Sequence, residues 1–372
     1  MRDDDPIAVD RGRYPDAATP WERDSWRAAA LDWVAARLGT HGLRATGAPE
    51  VRLRPWSVLI RVPVAGAAAP AGQPSVAGRT AEARHASVAV RPARPRQADE
   101  PPYSAVWFKA NPPGSAFEGP LTAALARWVP EHVLRPLAVD AARGWMLLPD
   151  GGDLFRSVLG REPVEPRDWE ALLRQYACMQ GDLLPHADEI ERLGVPAART
   201  RDLPEVFDEL LAKNSALTPD ERARLEGLRP RLADWCAELA SAGVPDTLDH
   251  ADLHDGQLFR PAPGRFTFFD WGDATVSHPF CSLRVPVERA CDRYGPQVLP
   301  RLLDAYLEPW TGDGRTATEL RRAAELAWRL SALGRAASWG RMFPDASGAE
   351  PGAAQGAAWL LALLGEPPFR AG

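Results

Sequence analysis

A chain of 372 residues, 45% hydrophobic and 25% charged, has room for two packed lobes and the composition of a folded protein rather than a disordered one. Its 44 Lys+Arg against 50 Asp+Glu give a formal net charge of -6, and the sequence shows no basic run interleaved with aromatics, which argues against nucleic acid as a partner. Cys178, Cys236, Cys281 and Cys291 form neither a CxxC pair nor the close spacing of a disulfide framework, and Met1 is followed by Arg2 and three aspartates. With no apolar run near 18 residues, the expectation is a cytoplasmic protein without a membrane span.

Along the chain, residues 1–18 are polar and punctuated by Pro6, Gly12 and Pro15, as expected of a loose tail. Thr19-Pro20 reads as a helix start, followed by Trp26, Ala30, Trp33, Val34 and Leu38 at helical spacing. Val51 to Val64 predicts one or two strands around Trp56 and Ser57, and Ala105 to Lys109 another. Between them, residues 65–102 are Ala-, Pro-, Gly- and Arg-rich without either period, which predicts a mobile insertion. Phe117 to Trp128 reads as a helix, Leu137 to Val139 and Gly144 to Leu148 as short strands, and Leu147 to Gly152 as a hinge. Later patterns are helical: Glu165 onward with Trp169, Leu172, Leu173, Tyr176 and Ala177 on one face, then 203–211, 225–239, 320–339 and 353–364. The only later strand signals fall at 257–260 and 265–270. Strands early and helices late predict an α+β, two-lobed architecture, with an N-lobe over 19–148 and a helical C-lobe over 149–372.

Two segments carry chemistry. His250-Ala251-Asp252-Leu253-His254-Asp255-Gly256-Gln257 is followed by Phe266-Thr267-Phe268-Phe269-Asp270-Trp271-Gly272-Asp273. Phosphoryl transfer requires a carboxylate near the acceptor hydroxyl and oxygen ligands for Mg²⁺, and this stretch supplies them in the His-x-Asp-x-x-x-x-Asn layout, except for Gln257 at the last position. A turn over Pro261 to Arg265 would make the region a hairpin with Gln257 opposite Asp270, so that an amide oxygen and a carboxylate converge on one Mg²⁺. A zinc site is disfavoured: His250 and His254 have no third His or Cys in metal spacing. Lysine occurs only at Lys109 and Lys213 in an otherwise arginine-using chain, which singles out Lys109 at the end of its strand.

From about Val51 to Trp339 the sequence resembles the aminoglycoside phosphotransferase and choline kinase superfamily, whose members share the bilobal protein-kinase-like fold. The resemblance implies Asp252 as catalytic base, Asp270 and Gln257 as Mg²⁺ ligands, and Lys109 paired with Glu118 to hold the phosphates of ATP or GTP. It also places the adenine contact at Leu148 and gives His250 a loop-holding role within the nucleotide site. There is no glycine-rich phosphate loop, so the strand turn near Val64 and Gly66 is expected to cover the phosphates. Asp273 and Glu288 are candidate acceptor contacts, with Asp292, Asp304 and Glu308 as further carboxylates and Trp310, Trp328 or Trp339 as aromatic faces. The implied activity is transfer of a γ-phosphoryl group to a small hydroxylated acceptor, an aminoglycoside or nucleoside antibiotic first among them. A sugar, amino-sugar, choline or homoserine kinase is the nearest rival, and an inactive kinase-like binding protein is a rival of another class. A protein kinase is disfavoured, because no A-P-E signature with an activation segment follows Asp270.

Overall fold

The computed structural model describes residues 10, 20–66, 103–312, 314–341 and 352–369. The expected tail over 1–18, apart from Asp10, and the expected insertion, apart from Ala65 and Gly66, lie outside the described residues.

Helix α1 (Asp24–Thr40) buries Ala30, Trp33, Val34 and Leu38, the face that its three-to-four-residue spacing defines. It covers a curled sheet of β1 (Leu43–Ala45), β2 (Glu50–Leu53), β3 (Val58–Gly66), β4 (Ala105–Ala110), β5 (Ala138–Asp140) and β6 (Trp145–Pro149). The order is β1-β3-β4-β6-β5, with β2 also pairing with β3, and every pair is antiparallel. Along β3 the alternation is strict: Val58, Ile60, Val62 and Val64 point inward. The layer between helix and sheet is aromatic. Trp26, Trp33 and Phe108 each meet Trp145 edge-to-face at centroid separations of 5.5, 5.9 and 5.6 Å, the geometry that the ring quadrupole favours.

The register fixes which turn can reach Lys109. Leu59 pairs with Lys109 and Pro63 with Ala105, so the tight β2–β3 turn, closed by Arg54 N–H to the Ser57 carbonyl, lies at the Lys109 end. Val64 and Gly66 lie at the opposite end, about five residues or roughly 17 Å along the strand. The turn beside Lys109 is therefore Arg54–Ser57, and Val64 and Gly66 are remote from it. Strand β1 went unanticipated; it is three residues long and has no hydrophobic alternation to read.

Helix α2 (Glu118–Trp128) separates β4 from β5. Beyond β6 come α3 (Phe155–Arg161), α4 (Pro166–Leu183), α5 (Ala187–Arg192), α6 (Leu203–Lys213), α7 (Pro219–Glu226) and α8 (Arg229–Ser241). Two short antiparallel pairs follow, β7 (Thr247–Asp249) with β10 (Thr275–Ser277), and β8 (Leu258–Ala262) with β9 (Arg265–Phe268). Helices α9 (Arg284–Tyr294), α10 (Leu299–Leu307), α11 (Ala317–Trp339) and α12 (Ala353–Ala362) complete the C-terminal part. Here α4 is the central helix, burying Trp169, Leu172, Leu173, Tyr176 and Met179. The single helix expected over 225–239 is two helices. Thr218 and Glu221 form a capping box that starts α7, and the chain breaks at Gly227 and Leu228. Strands β7 and β10 escaped notice because all six of their residues are buried, which leaves no alternation. The hydrophobic residues fall into two clusters, one around Trp33, Ile60, Phe108 and Trp145, the other around α4 and α11, so the architecture is α+β.

His278, just after β10, is fully buried, and its Nδ1 accepts the Phe280 amide, so burial pushes its pKa down to about 3. A base whose folded pKa lies below its unfolded value of about 6.5 contributes stability that is intact above pH 6.5 and lost as pH falls towards 3. Between pH 7 and pH 5 the wild-type protein should lose about 2 kcal/mol more stability than His278→Gln. Urea midpoints at the two pH values measure this, and an equal loss in both proteins would contradict it.

Candidate active site

Lys109 is the point where the two parts of the molecule meet. It leaves β4 nearly buried, donates through Nζ to Glu118 Oε1 at 2.7 Å, and forms an ion pair with Asp270 Oδ1. Burial would lower the lysine pKa, but the two carboxylates hold it well above the ordinary lysine range. Glu118, the first residue of α2, is completely buried and also accepts from Asn111 Nδ2 at 2.6 Å and from the Trp271 amide at 3.1 Å. Burial lifts its pKa against the pull of Lys109. Burial acts upward on Asp270 too, yet there Lys109 outweighs it and holds the carboxyl below its usual range. Ser115 adds a second tie between the two parts, its Oγ donating to the Gly272 carbonyl at 2.9 Å.

The loop carrying Asp252 is braced from below. Asp249 is buried and accepts from Ala251 N–H at 2.8 Å, Ser282 Oγ at 2.5 Å and Ser277 Oγ at 3.2 Å. The His250 amide donates to Tyr176 Oη at 2.9 Å. His250 itself is fully buried, its Nε2 donating to the Phe269 carbonyl at 2.9 Å and its ring lying 4.7 Å from that of Trp271. It is therefore a brace between the two motifs, with no surface left to reach a ligand. Ala251 and Asp270 are the only non-glycine residues with positive φ among those described, at 60° and 66°. Backbone strain thus coincides with the two motifs.

The Asp252 carboxylate is held on both sides. Arg335 Nη2 lies 3.1 Å from Oδ1, and His254 Nε2 lies 3.6 Å from Oδ2. His254 Nδ1 accepts the Gly256 amide at 2.9 Å, which leaves the proton on Nε2, facing Asp252. Burial lowers the His254 pKa, favouring this neutral form. Arg335 also reaches Asp273 Oδ2 at 3.6 Å, where burial raises the carboxyl's pKa against that guanidinium.

Gln257 departs from the expected pairing. A bulge between Phe259 and Ala262 shifts the hairpin register, so that Gln257 lies opposite Phe269, whose amide donates to its carbonyl at 3.2 Å, and not opposite Asp270. Among the described residues, three or more His, Cys, Asp and Glu side chains nowhere converge in a metal-binding group. The donors present still suit Mg²⁺, a hard cation that takes one or two protein oxygens and leaves the rest to phosphate and water. Asp270 ends the hairpin with a carboxylate 35% exposed, and Gln257 supplies an amide oxygen on the adjoining strand end.

Leu148 pairs with Trp107 near the end of β6. Beyond it, the Asp150 amide donates to the Ala105 carbonyl at 3.1 Å, and Gly151 packs so tightly on Phe259 that a Cβ there would overlap the ring. Glu288 lines a cavity of about 270 Å³ together with Asp252, Arg335 and Trp359. Asp304 and Glu308 instead pair with Arg321 and Arg174, and Trp310 and Trp328 are buried in the core. Asn111, Asp249, Arg335 and Trp359 were not singled out from sequence. Asn111, two residues from Lys109, carried the one local signal that could have been read.

Breaking a buried ion pair strands the remaining charge, whereas replacing both partners with apolar groups does not. Glu118→Leu alone should cost about 3 to 5 kcal/mol, and adding Lys109→Met should recover part of that loss. Urea denaturation of the two single variants and the double variant measures this. Purely additive losses would contradict the account.

No protein-family model matches the chain, and no curated protein matches it at a significant level. Solved structures do. An ethanolamine kinase from Plasmodium vivax superposes with a TM-score of 0.52 at 13% identity, over 91% of this chain and 89% of that one. A macrolide 2'-phosphotransferase from Brachybacterium faecium, in its apoenzyme form, is 16% identical over 86% of this chain and 100% of that one, with a TM-score of 0.48. The likeness to the ethanolamine kinase establishes architecture: the chain has the two-lobed, kinase-like α+β fold expected from its sequence.

Proposed function

We propose that this protein is a small-molecule kinase that transfers the γ-phosphoryl group of ATP or GTP to an acceptor hydroxyl. The observation that carries the reading is the convergence of Lys109, Glu118 and Asp270 on one cleft, with Asp252 on a braced loop beside it. A lysine whose charge is held by two carboxylates is poised to meet phosphate oxygens, and the Arg54–Ser57 turn lies at its end of the sheet. Nucleotide would enter between the sheet and the helical part, with the base against the backbone near Leu148 in the 147–152 hinge. The lobes would divide there, near residue 148.

In this reading Asp270 and Gln257 hold Mg²⁺, which neutralises charge on the phosphates when bound. Asp252 accepts the hydroxyl proton as the acceptor oxygen attacks phosphorus, and the nucleoside diphosphate leaves. His250 keeps the two motifs in register from within the core. Asp273 and Glu288 stand on the acceptor side. The acceptor class includes antibiotics of nucleoside or aminoglycoside type, for which the enzyme would confer resistance, and sugars, amino sugars, choline and homoserine. With four free thiols among the described residues, a reducing cytoplasm is the proposed setting.

A coupled nucleotide-consumption screen over these acceptors, with ATP and GTP in parallel, tests the reaction. Asp252→Asn should keep nucleotide affinity within about twofold and lose at least 100-fold in turnover, whereas Asp270→Ala should lose Mg²⁺-dependent nucleotide binding itself. Undiminished turnover in Asp252→Asn would remove the base from its role. Nucleotide binding without turnover on any acceptor would favour an inactive binding protein instead.

A further inference from the structure

The cavity beside Asp252 is lined by α9, α11 and α12, and arginines offset most of its carboxylate charge. Three carboxylates face it, Asp252, Glu288 and Asp292. Arg335 pairs with Asp252 at 3.1 Å and also reaches Asp273 at 3.6 Å, Arg284 just outside the lining pairs with Glu288 at 3.0 Å, and Arg289 is the second arginine of the lining. Arg335 is only 9% exposed, and its guanidinium lies 5.4 Å from the Trp359 ring, which Arg284 also approaches, at 4.7 Å. Its Nε and Nη1 are buried without a hydrogen-bond partner among the described residues, Nη1 lying 3.6 Å from Asp273 Oδ2, so a buried cation stands behind Asp252 at the cavity wall.

A polycation needs a surplus of carboxylates, because each ammonium group buried against an arginine is repelled unless a free carboxylate outweighs it. Here the carboxylate nearest the chemistry is already neutralised by a buried cation. The volume, about 270 Å³, sits at the lower edge of the roughly 300–1,000 Å³ typical of small-molecule pockets.

We infer that Arg335, by offsetting Asp252, leaves this acceptor subsite too few free carboxylates for a polycation, so that it selects a small hydroxylated acceptor that is neutral or zwitterionic and disfavours polycationic ones. The inference rests on the kinase reading, and it makes Arg335 a specificity-determining residue. Removing its charge leaves Asp252 and Asp273 unneutralised, so the subsite turns anionic and its preference moves towards ammonium groups.

The test compares probes within each protein, so that general losses of activity or stability cancel. Kanamycin serves as the polycation, uridine as the neutral probe and homoserine as the zwitterion, each followed by nucleotide consumption and by isothermal titration. The wild-type protein should favour uridine or homoserine over kanamycin, and Arg335→Gln should raise the kanamycin preference, in kcat/KM or in affinity, about tenfold or more. Arg335→Lys, which keeps the charge, should retain the wild-type order. Kanamycin as the best wild-type ligand, or an unchanged preference in Arg335→Gln, would overturn the inference. Should no probe be phosphorylated, the titration arm alone decides: kanamycin bound by Arg335→Gln no more tightly than by the wild type would overturn it too. The kinase reading fails separately, by absence of nucleotide binding in the wild-type protein, whatever the probes show.

Discussion

A single buried ammonium group organises this molecule. Lys109 stands on β4, its first carboxylate partner begins α2, and its second lies 161 residues along the chain at the end of the β8–β9 hairpin. Withdrawing three charges from water is costly, and the cost is met only if each remaining lone pair and proton finds a partner. Asn111 and the Trp271 amide meet that need at Glu118, and Ser115 reinforces the same seam at Gly272. These polar contacts supplement the apolar packing by which Phe117, Leu121 and Leu125 of the α2 region join the helical core. A cleft closed by charges can admit a charged ligand, since phosphate oxygens can take over from the carboxylates.

The second motif obeys a different rule. Asp252 needs to be partly accessible, so its support is moved one shell inward, to Asp249, Tyr176 and the two serines beneath it. The fully buried Asp249 side chain pins the left-handed turn at Ala251, a conformation unfavourable for a residue with a Cβ. Rigid packing below and a strained turn above leave the carboxylate few positions, and Arg335 and His254 restrict it further from the sides.

What could be read from the sequence was what is local. The helix α1 face, the α4 face, the strand ending in Lys109 and the α+β order all follow from periodicity, and the motif spacing alone brought attention to Asp252 and Asp270. Features that depend on register were misread. One bulged residue moved Gln257 away from Asp270, and the β3–β4 register sets Arg54–Ser57, not Gly66, at the Lys109 end of the sheet. Arg335 was invisible for another reason: on a helix rich in arginine and alanine, nothing in its neighbourhood distinguishes it from Arg321 or Arg322, which face outward to Asp304 and Glu238. Only the tertiary fold sets it against Asp252.

The scarcity of lysine offers a direct view of the central group. Protein labelled with ¹³C and ¹⁵N at lysine side chains carries two signals, Lys109 and Lys213, the latter exposed and paired with Glu209 at 3.1 Å. A Lys213→Arg variant assigns them. Titration with the Mg²⁺ complex of a non-hydrolysable ATP or GTP analogue should shift the Lys109 resonance saturably and leave Lys213 in place. An unmoved Lys109 signal at saturating nucleotide would contradict the claim that this cleft is the phosphate site.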